Sequence, residues 1–286
     1  MQAAETLVHA GLDEAAAAGR RKVRNRRILV QVLRVLVAVV LLGSWEILSR
    51  TKTIDPFFFG RPSEIGQKLW AWQTKGTPDG PLWSQVWVTV EEALLGFAIG
   101  VGAGVIFGVA LGRIHLLADV LGPYIKAANS IPRVVLGSIF IIWLGLGLPS
   151  KVALAFVLVF FVVFFNAFQG VREVNQDVIA NARILGANRR QVTTQVVMPS
   201  ALTWIIASLH TAFGFALVGA VVGEFIGSIH GVGHLIAFAQ GTFDTNGIFA
   251  AMFILAVVAL VAESVITHLE NRLITWRPRT GHEVSL

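Results

Sequence analysis

Two histidines, His230 and His234, have the four-residue spacing of a pair of metal ligands on one helix face. Gly231 and Gly233 favour a turn at this point and no third ligand lies nearby in the sequence, so we predict no metal site. The sequence also has no G-x-x-x-x-G-K-S/T phosphate loop, no H-E-x-x-H motif and no G-x-S-x-G motif. We therefore expect no cofactor, no ATP hydrolysis and no other enzymatic reaction in this chain.

A second candidate lies where polar residues interrupt an apolar segment, at Ser130, Pro132 and Arg133. Proline breaks a helix, and the freed backbone groups are tolerated inside a membrane only beside protein or a wet cavity. We predict that these residues lie near a solute path and that Arg133 attracts an anion. A structural pair, or a side chain extended toward the interface, is the alternative for Arg133. Glu224 belongs to the same candidate path, although pairing within the protein explains it more simply.

Composition indicates that these residues belong to a membrane protein. The chain has 286 residues, of which 55% are hydrophobic and 14% charged, whereas soluble globular chains carry about 25% charged residues. This composition excludes a water-soluble domain and a disordered chain. The absence of cysteine excludes disulfides and cysteine metal sites. The 23 Lys and Arg against 17 Asp and Glu are typical of membrane topology rather than of nucleic-acid binding.

Six apolar stretches are long enough to span a bilayer, since a spanning helix needs about 20 residues. We predict an all-α polytopic membrane protein with six transmembrane helices. They lie at 30–48, 90–111, 121–146 with a break near Pro132, 153–169, 202–226 and 248–269. Fourteen Lys and Arg lie on the side of both chain ends and the 170–200 loop, against six on the other side. This asymmetry predicts cytoplasmic termini. In the long outer loop, Pro62 to Trp70 predicts a short amphipathic helix at the interface.

Glycines recur every four residues in the second predicted span, at Gly96, Gly100, Gly104 and Gly108. Four residues turn a helix by about 400°, so these glycines form one slowly winding stripe. In a membrane, such a stripe lets another helix backbone approach closely. We predict a tight seam between helices, with ordinary glycine enrichment as the alternative.

The polar segment 170–200 has the punctuation of a helical elbow. Asp177 can cap a first helix that ends near Leu185, and Gly186 permits a sharp reversal. Asn188 can cap a second helix, and Pro199 starts the next span. Two short helices at an angle are a shape suited to docking in a groove on another protein.

This segment resembles the coupling loop of ATP-binding-cassette (ABC) importer permeases, whose signature is E-A-A, three residues, Gly, nine residues and I-x-L-P. Gly186 and Pro199 match it, as does Ala182, whereas Ala180 and Asn181 stand where the signature has Glu and Ala. The resemblance assigns contact with the ATPase to Ala180, Asn181, Ala182, Arg183, Leu185, Gly186, Ala187 and Pro199.

The rest of the chain is similar to the permeases for sulfonate, taurine and nitrate uptake, a branch of the binding-protein-dependent, MetI-like family. The similar stretches are Phe59-Gly-Arg-Pro62-Ser63, Ser130-Ile-Pro132-Arg133, Ile142-Trp-Leu-Gly145-Leu-Gly147, Asn166-Ala-Phe-Gln-Gly170-Val171, Gly223-Glu224-Phe225 with Gly231-Val-Gly233, and Leu273-Ile-Thr-Trp276. The resemblance implies a transmembrane permease domain at 28–277, with a cytoplasmic coupling loop at about 170–200. A basic cytoplasmic tail, 1–27, precedes this domain, and a short tail, 278–286, follows it.

The resemblance further implies a type I ABC importer in a bacterial inner membrane. Its partners would be a second permease subunit in a homodimer, two cytoplasmic ATPase subunits that carry ATP and Mg, and an extracytoplasmic binding protein. The solute would be small and anionic, such as an aliphatic sulfonate, taurine or nitrate, with a vitamin precursor or bicarbonate as alternatives. A stand-alone secondary transporter or channel is a different class, but it gives no reason for the elbow.

Overall fold

A computed structural model describes residues 2–174 and 176–273, and their side chains from Arg24 onward except at positions 176, 269, 271 and 273. The described elements are helices, so the predicted all-α class is confirmed. The chain forms two compact units, residues 1–66 and 67–286. The predicted C-terminal tail, 278–286, lies outside the described residues.

The first unit contains α1 (Gln2–Arg50), α2 (Pro56–Phe59) and the beginning of α3 (Pro62–Lys75). Asp55 caps α2 by accepting a hydrogen bond from the Phe57 amide at 2.9 Å. Glu46 of α1 accepts hydrogen bonds from the Ser63 amide and hydroxyl, at 3.0 and 2.8 Å. A carboxylate at the positive end of a helix is stabilising, so Glu46 fixes the start of α3. The predicted interfacial helix is confirmed by α3.

The second unit holds the remaining helices. They are α4 (Leu82–Arg113), α5 (His115–Asn129), α6 (Arg133–Leu144), α7 (Leu148–Arg172), α8 (Gln176–Ile184), α9 (Arg189–Val192), α10 (Met198–Ile226), α11 (Val232–Gly241) and α12 (Thr245–Leu273). A π-helix, Thr193–Val197, joins α9 to α10.

The core of the second unit lies between α4, α7 and α10. Small side chains let these helices approach closely, and the buried residues there are Ala93, Val159, Val163, Ala212, Ala216, Leu217 and Ala220. Helix α12 lies outside this core. His210 of α10 ties it in, with its two ring nitrogens 2.7 and 2.8 Å from the carboxylates of Glu263 and Glu270.

Five helical segments are long and apolar enough to cross a membrane: Arg24–Arg50, Leu82–Arg113, Leu148–Arg172, Arg189–Ile226 and Thr245–His268. They contain five of the six predicted spans. The third predicted span, 121–146, is instead the helix pair α5 and α6, bent by 86° at Pro132. The break is therefore confirmed, but α5 begins at His115, and the pair adds a sixth crossing only if it counts as one span.

Candidate functional site

The elbow reverses direction at Gly186, which has a φ of +90°. The Gly186 amide donates to the Arg183 carbonyl and the Ala187 amide to the Ala182 carbonyl, both at 3.0 Å. These two bonds form a Schellman motif, which satisfies the last carbonyls of α8. A glycine suits this position because φ near +90° is strained for residues with a Cβ.

The second arm of the elbow begins at Asn188. Its side chain accepts a hydrogen bond from the Gln191 amide at 2.9 Å, and the Gln191 side chain accepts one from the Asn188 amide at 2.8 Å. This capping box confirms the cap predicted at Asn188. The cap predicted at Asp177 is wrong, because α8 begins at Gln176 and Asp177 lies within its first turn.

Pro199 does not separate the elbow from the membrane helix. Helix α9, the π-helix and α10 form one continuous run, Arg189–Ile226. Proline has no amide hydrogen and cannot complete the α-helical bond to the residue four positions earlier, so a π-helix is an expected local adjustment. The prediction of a separate second helix is therefore wrong, and movement of the elbow tip would be transmitted directly along α10.

The two faces of the elbow differ in burial. Ala182 and Ala187 pack against a small core formed by residues such as Val171, Val192 and Ala201. The tip is open, with Ile184 and Leu185 exposed to 82% and 87%. The other exposed members of the predicted coupling set are Ala180, Asn181, Arg183 and Gly186, while Pro199 is half-buried. A surface for a partner therefore consists of the tip, with Ala182 and Ala187 supporting it from inside.

The predicted path residues lie at the bend between α5 and α6. The Ser130 hydroxyl donates to the Lys126 carbonyl at 2.9 Å, and Pro132 precedes the first residue of α6. The Arg133 guanidinium donates to the Asn129 side chain at 2.5 Å and lies 5.7 Å from the ring centroid of Phe161. Because Phe161 is near the middle of α7, Arg133 lies about halfway along the spanning helices.

The positive charge of Arg133 has no carboxylate ion-pair partner in the part of the chain that the structure describes. Its neighbours are a neutral amide and an aromatic ring, which stabilise a cation without cancelling its charge. A charge at this depth needs water, a ligand or a partner. The arrangement is suited to attracting an anion.

A groove of about 610 Å³ leads toward this bend between α5 and α7. Lys126 and Arg172 line it together with Asp119, so its charged side chains are mainly positive. The apolar wall contains Phe164, Phe165 and Phe168, and the Arg172 guanidinium lies 4.7 Å from the Phe168 ring centroid. Such a groove can accommodate a small solute that has both an anionic and an apolar part.

Glu224 lies elsewhere, in a buried polar cluster at the end of the unit opposite the elbow. It accepts hydrogen bonds from the Thr89 hydroxyl at 2.7 Å and the Gly233 amide at 2.6 Å. Glu92 and Lys151 lie beside it, and both are buried. The structure does not bring Glu224 together with Ser130, Pro132 and Arg133.

Sequence analysis did not identify most of this cluster. Lys151 was assigned to an outer loop, which is wrong, because it lies in the first turn of α7 and is fully buried. One signal was available for the others. Gln85, Thr89 and Glu92 are spaced as one helix face and continue the line of the glycine stripe toward the start of α4.

The glycine stripe lies against α7. A Cβ added at Gly96, Gly100, Gly104 or Gly108 would lie 2.4–2.8 Å from the nearest atom of α7, such as the Val163 Cβ for Gly104. Such distances are closer than atoms can pack, so only glycine fits there at this helix separation.

A family model described as "Binding-protein-dependent transport system inner membrane component" matches residues 100–275. The chain belongs to this family. Its members include the permeases of ABC importers, so the chain is an ABC importer permease by family.

Individual relatives support the assignment. The permease is 33% identical over 198 residues, 69% of this chain and 72% of the other, to SsuC of Bacillus subtilis (strain 168), which is named as a permease protein for aliphatic sulfonates transport. It is 32% identical over 238 residues to the riboflavin transport system permease protein RibX of Chloroflexus aurantiacus, covering 83% of this chain and 87% of RibX. It is 29% identical over 238 residues to the taurine transport system permease protein TauC of Escherichia coli (strain K12), covering 83% and 86%.

Solved structures show the same fold. One titled "Crystal structure of an amino acid ABC transporter with histidines" aligns with a TM-score of 0.55 and 20% identity, over 66% of this chain and 92% of that chain. The permease therefore has the helical fold of an ABC transporter membrane subunit, in agreement with the predicted fold.

Proposed function

We propose that this permease is the membrane-spanning subunit of an ATP-driven importer for a small anionic solute of the sulfonate class, which an external binding protein delivers. Family membership supports the importer function. The observation that carries the choice of an anion is Arg133, a cation halfway along the spanning helices with no carboxylate ion-pair partner among the described residues. The names of SsuC and TauC are consistent with a sulfonate group.

Energy for transport enters through another chain in this proposal. The sequence has no phosphate loop, so ATP and Mg bind to a cytoplasmic ATPase subunit. The exposed tip at Ile184 and Leu185 docks on that ATPase. Because the elbow continues into α10, closure of the ATPase dimer favours one of two packings of the membrane helices, which gives alternating access.

The path runs past Ser130, Pro132 and Arg133 and along the groove lined by Lys126 and Arg172. The Ser130 hydroxyl donates to the Lys126 carbonyl, which links the groove to the bend. Cations along this route lower the cost of moving an anion through an apolar layer. Glu224, which is buried and hydrogen-bonded, is excluded from the path in this proposal.

The assembly that we propose is a homodimer of permeases with two ATPases and one external binding protein, in a bacterial inner membrane with both termini cytoplasmic. The apolar side chains of Val134, Val135, Ile142 and Trp143 on α6 are exposed in the single chain. A second subunit and lipid would cover such surfaces. The excess of Lys and Arg on the elbow side supports the orientation.

A vitamin or vitamin precursor is a second candidate solute. RibX is named for riboflavin transport. The aromatic wall of the groove, Phe164, Phe165 and Phe168, provides surfaces on which a heterocyclic ring can stack.

Uptake into proteoliposomes tests this function. The permease is reconstituted with the ATPase and the binding protein of its own transporter, and labelled taurine, an alkanesulfonate and riboflavin are supplied outside. We expect ATP-dependent uptake of a sulfonate that riboflavin does not reduce. Riboflavin uptake instead would establish the second candidate, and solute uptake by the permease alone without ATP would contradict the importer function.

A further inference from the structure

The buried cluster around Glu224 holds the first turn of α11. Three side chains accept hydrogen bonds from the three successive amides that open this helix. Gln85 binds the Gly231 amide at 2.7 Å, Thr89 binds the Val232 amide at 2.9 Å, and Glu224 binds the Gly233 amide at 2.6 Å. The first amides of a helix have no partner within the helix, so this cluster caps α11 from two other helices.

The glycines of this turn permit the close approach. A Cβ at Gly231 would lie 2.0 Å from a Glu224 carboxylate oxygen, and one at Gly233 would lie 2.4 Å from the Val221 carbonyl oxygen. Gly231 also has a φ of +103°. The turn therefore fits only with glycine at both positions, and the carboxylate of Glu224 lies directly against the backbone.

Hydrogen bonding identifies Glu224 as the ionised carboxylate of the cluster. One of its oxygens accepts from the Thr89 hydroxyl at 2.7 Å, and the other accepts from the Gly233 amide. The Thr89 oxygen already accepts from Val232, so its single hydrogen is available for Glu224. A carboxylate that accepts from two donors and faces a helix N-terminus is stabilised in its charged form.

Glu92 has the opposite pattern. Its side chain is 2% exposed, it is hydrogen-bonded to the Glu224 carboxyl, and its Oε2 has no hydrogen-bond partner among the described residues. Two ionised carboxylates cannot hydrogen-bond to each other, because neither has a hydrogen to donate. One proton must therefore lie between Glu92 and Glu224.

The charge count agrees with one proton. Lys151 is the cation of the cluster, and its ammonium donates to the Leu146 carbonyl. With one proton on the Glu pair, one positive and one negative charge remain, and the buried cluster is neutral. With no proton it would carry a net negative charge, which is costly away from water.

We propose that Glu92 is a neutral carboxylic acid that donates its proton to Glu224, and that this shared proton lets the pair hold the first turn of α11. The site is a proton-binding site, since it takes one proton and no other ligand. Glu92 is a positioning residue that acts on α11 through Glu224. This inference does not depend on which solute the permease transports.

Infrared spectroscopy tests the proton directly. The assembled transporter is compared with its Glu92→Gln variant at neutral pH, in H₂O and in D₂O. We expect the difference spectrum to show a carboxylic acid C=O band that is present only in the unsubstituted protein and shifts in D₂O. Absence of that band would mean that Glu92 is ionised, and the proposal would be wrong.

Labelling of a single cysteine tests the anchoring of α11. The chain has no cysteine, and Val232 in the first turn of α11 is fully buried, so Val232→Cys reports opening of this turn. In this background we expect Glu92→Gln to remain protected from a membrane-impermeant maleimide, since the amide also donates to Glu224. Glu92→Ala and Glu224→Gln should react about tenfold faster, because each leaves a buried polar group unpaired.

The outcomes separate the alternatives. If Glu92→Gln reacted as fast as Glu92→Ala, a charged Glu92 would be required and the shared proton would be refuted. If neither Glu92→Ala nor Glu224→Gln increased labelling, the cluster would not hold α11. Protection in Glu92→Gln together with fast labelling in the other two supports the proposal.

Discussion

Arg133 connects a single side chain to solute selectivity. Its guanidinium lies over Phe161 and donates to Asn129, and no carboxylate ion pair offsets its charge in the described structure. If the charge attracts an anionic solute, Arg133→Gln should raise the KM for sulfonate uptake about tenfold, equivalent to roughly 1.4 kcal/mol. Arg133→Lys keeps the charge and should retain most of the affinity, although it loses the planar contact with Phe161.

The measurement is the initial rate of sulfonate uptake at several concentrations, with permease abundance in the membrane as the reference. An unchanged KM in Arg133→Gln would indicate that Arg133 has only a structural role.

Gly186 tests the turn of the elbow. A Cβ at this position would have no atom within 4 Å, so a substitution is opposed by the φ of +90° and not by crowding. A β-branched valine should misdirect the turn at a cost of about 1–2 kcal/mol, whereas asparagine tolerates positive φ better. We expect Gly186→Val to insert into the membrane normally but to lose most uptake, and Gly186→Asn to lose much less. Equal activity of the two variants would show that this conformation does not matter.

Residues with local causes could be predicted from the sequence, and residues with distant causes could not. Gly186 turns and Pro132 breaks a helix because of their own backbone chemistry, and the structure has a turn and a break at these positions. The burial of Lys151 depends on α4 and α10, which lie far away in the sequence. A lysine four residues after Gly147 has the local pattern of an exposed loop, so it was assigned to one.

The seam between α4 and α7 gives a test at the scale of helices. A Cβ at Gly104 would lie 2.8 Å from the Val163 Cβ, whereas one at Gly102 would have no atom within 4 Å. Gly104→Leu should force the helices apart and destabilise the permease by about 1–3 kcal/mol or more. Gly102→Leu is the matched control on the exposed face of the same helix. Thermal unfolding in detergent should show a lower Tm for Gly104→Leu alone, and equal Tm values would place the seam elsewhere.

Hydropathy predicted which helices exist better than how they join. The 121–146 stretch was predicted as one broken span because its length and apolar character suffice, but composition does not encode the 86° angle between α5 and α6. In the elbow, Asn188 and Gln191 form a local capping box that the sequence partly revealed. The continuity of α9 with α10 was missed, because a proline in the first turn of a helix was interpreted as a start.

For the whole molecule, the orientation in the membrane stays a prediction. It depends on the excess of Lys and Arg on the elbow side. Reporter tags at residues 5 and 283 should both be cytoplasmic, and a tag at Gly76 should be external. A cytoplasmic signal at Gly76 would contradict the proposed topology.

The central claim is that the elbow tip receives the ATPase, and Leu185 tests it most directly. Its side chain is 87% exposed and makes no fold contact that would explain an apolar residue there. Ile229, 62% exposed in the loop at the opposite end of the same unit, is the matched control. The measurement is the amount of ATPase that co-purifies with membrane-inserted Leu185→Asn and Ile229→Asn permeases.

We expect Leu185→Asn to retain about a tenth or less of the ATPase, a loss of roughly 1.4 kcal/mol or more, because an exposed apolar anchor is lost from the interface. Ile229→Asn should retain all of it. Normal ATPase retention by Leu185→Asn would contradict the account, since the elbow would then be a connecting loop and not the site at which ATP hydrolysis is coupled to transport.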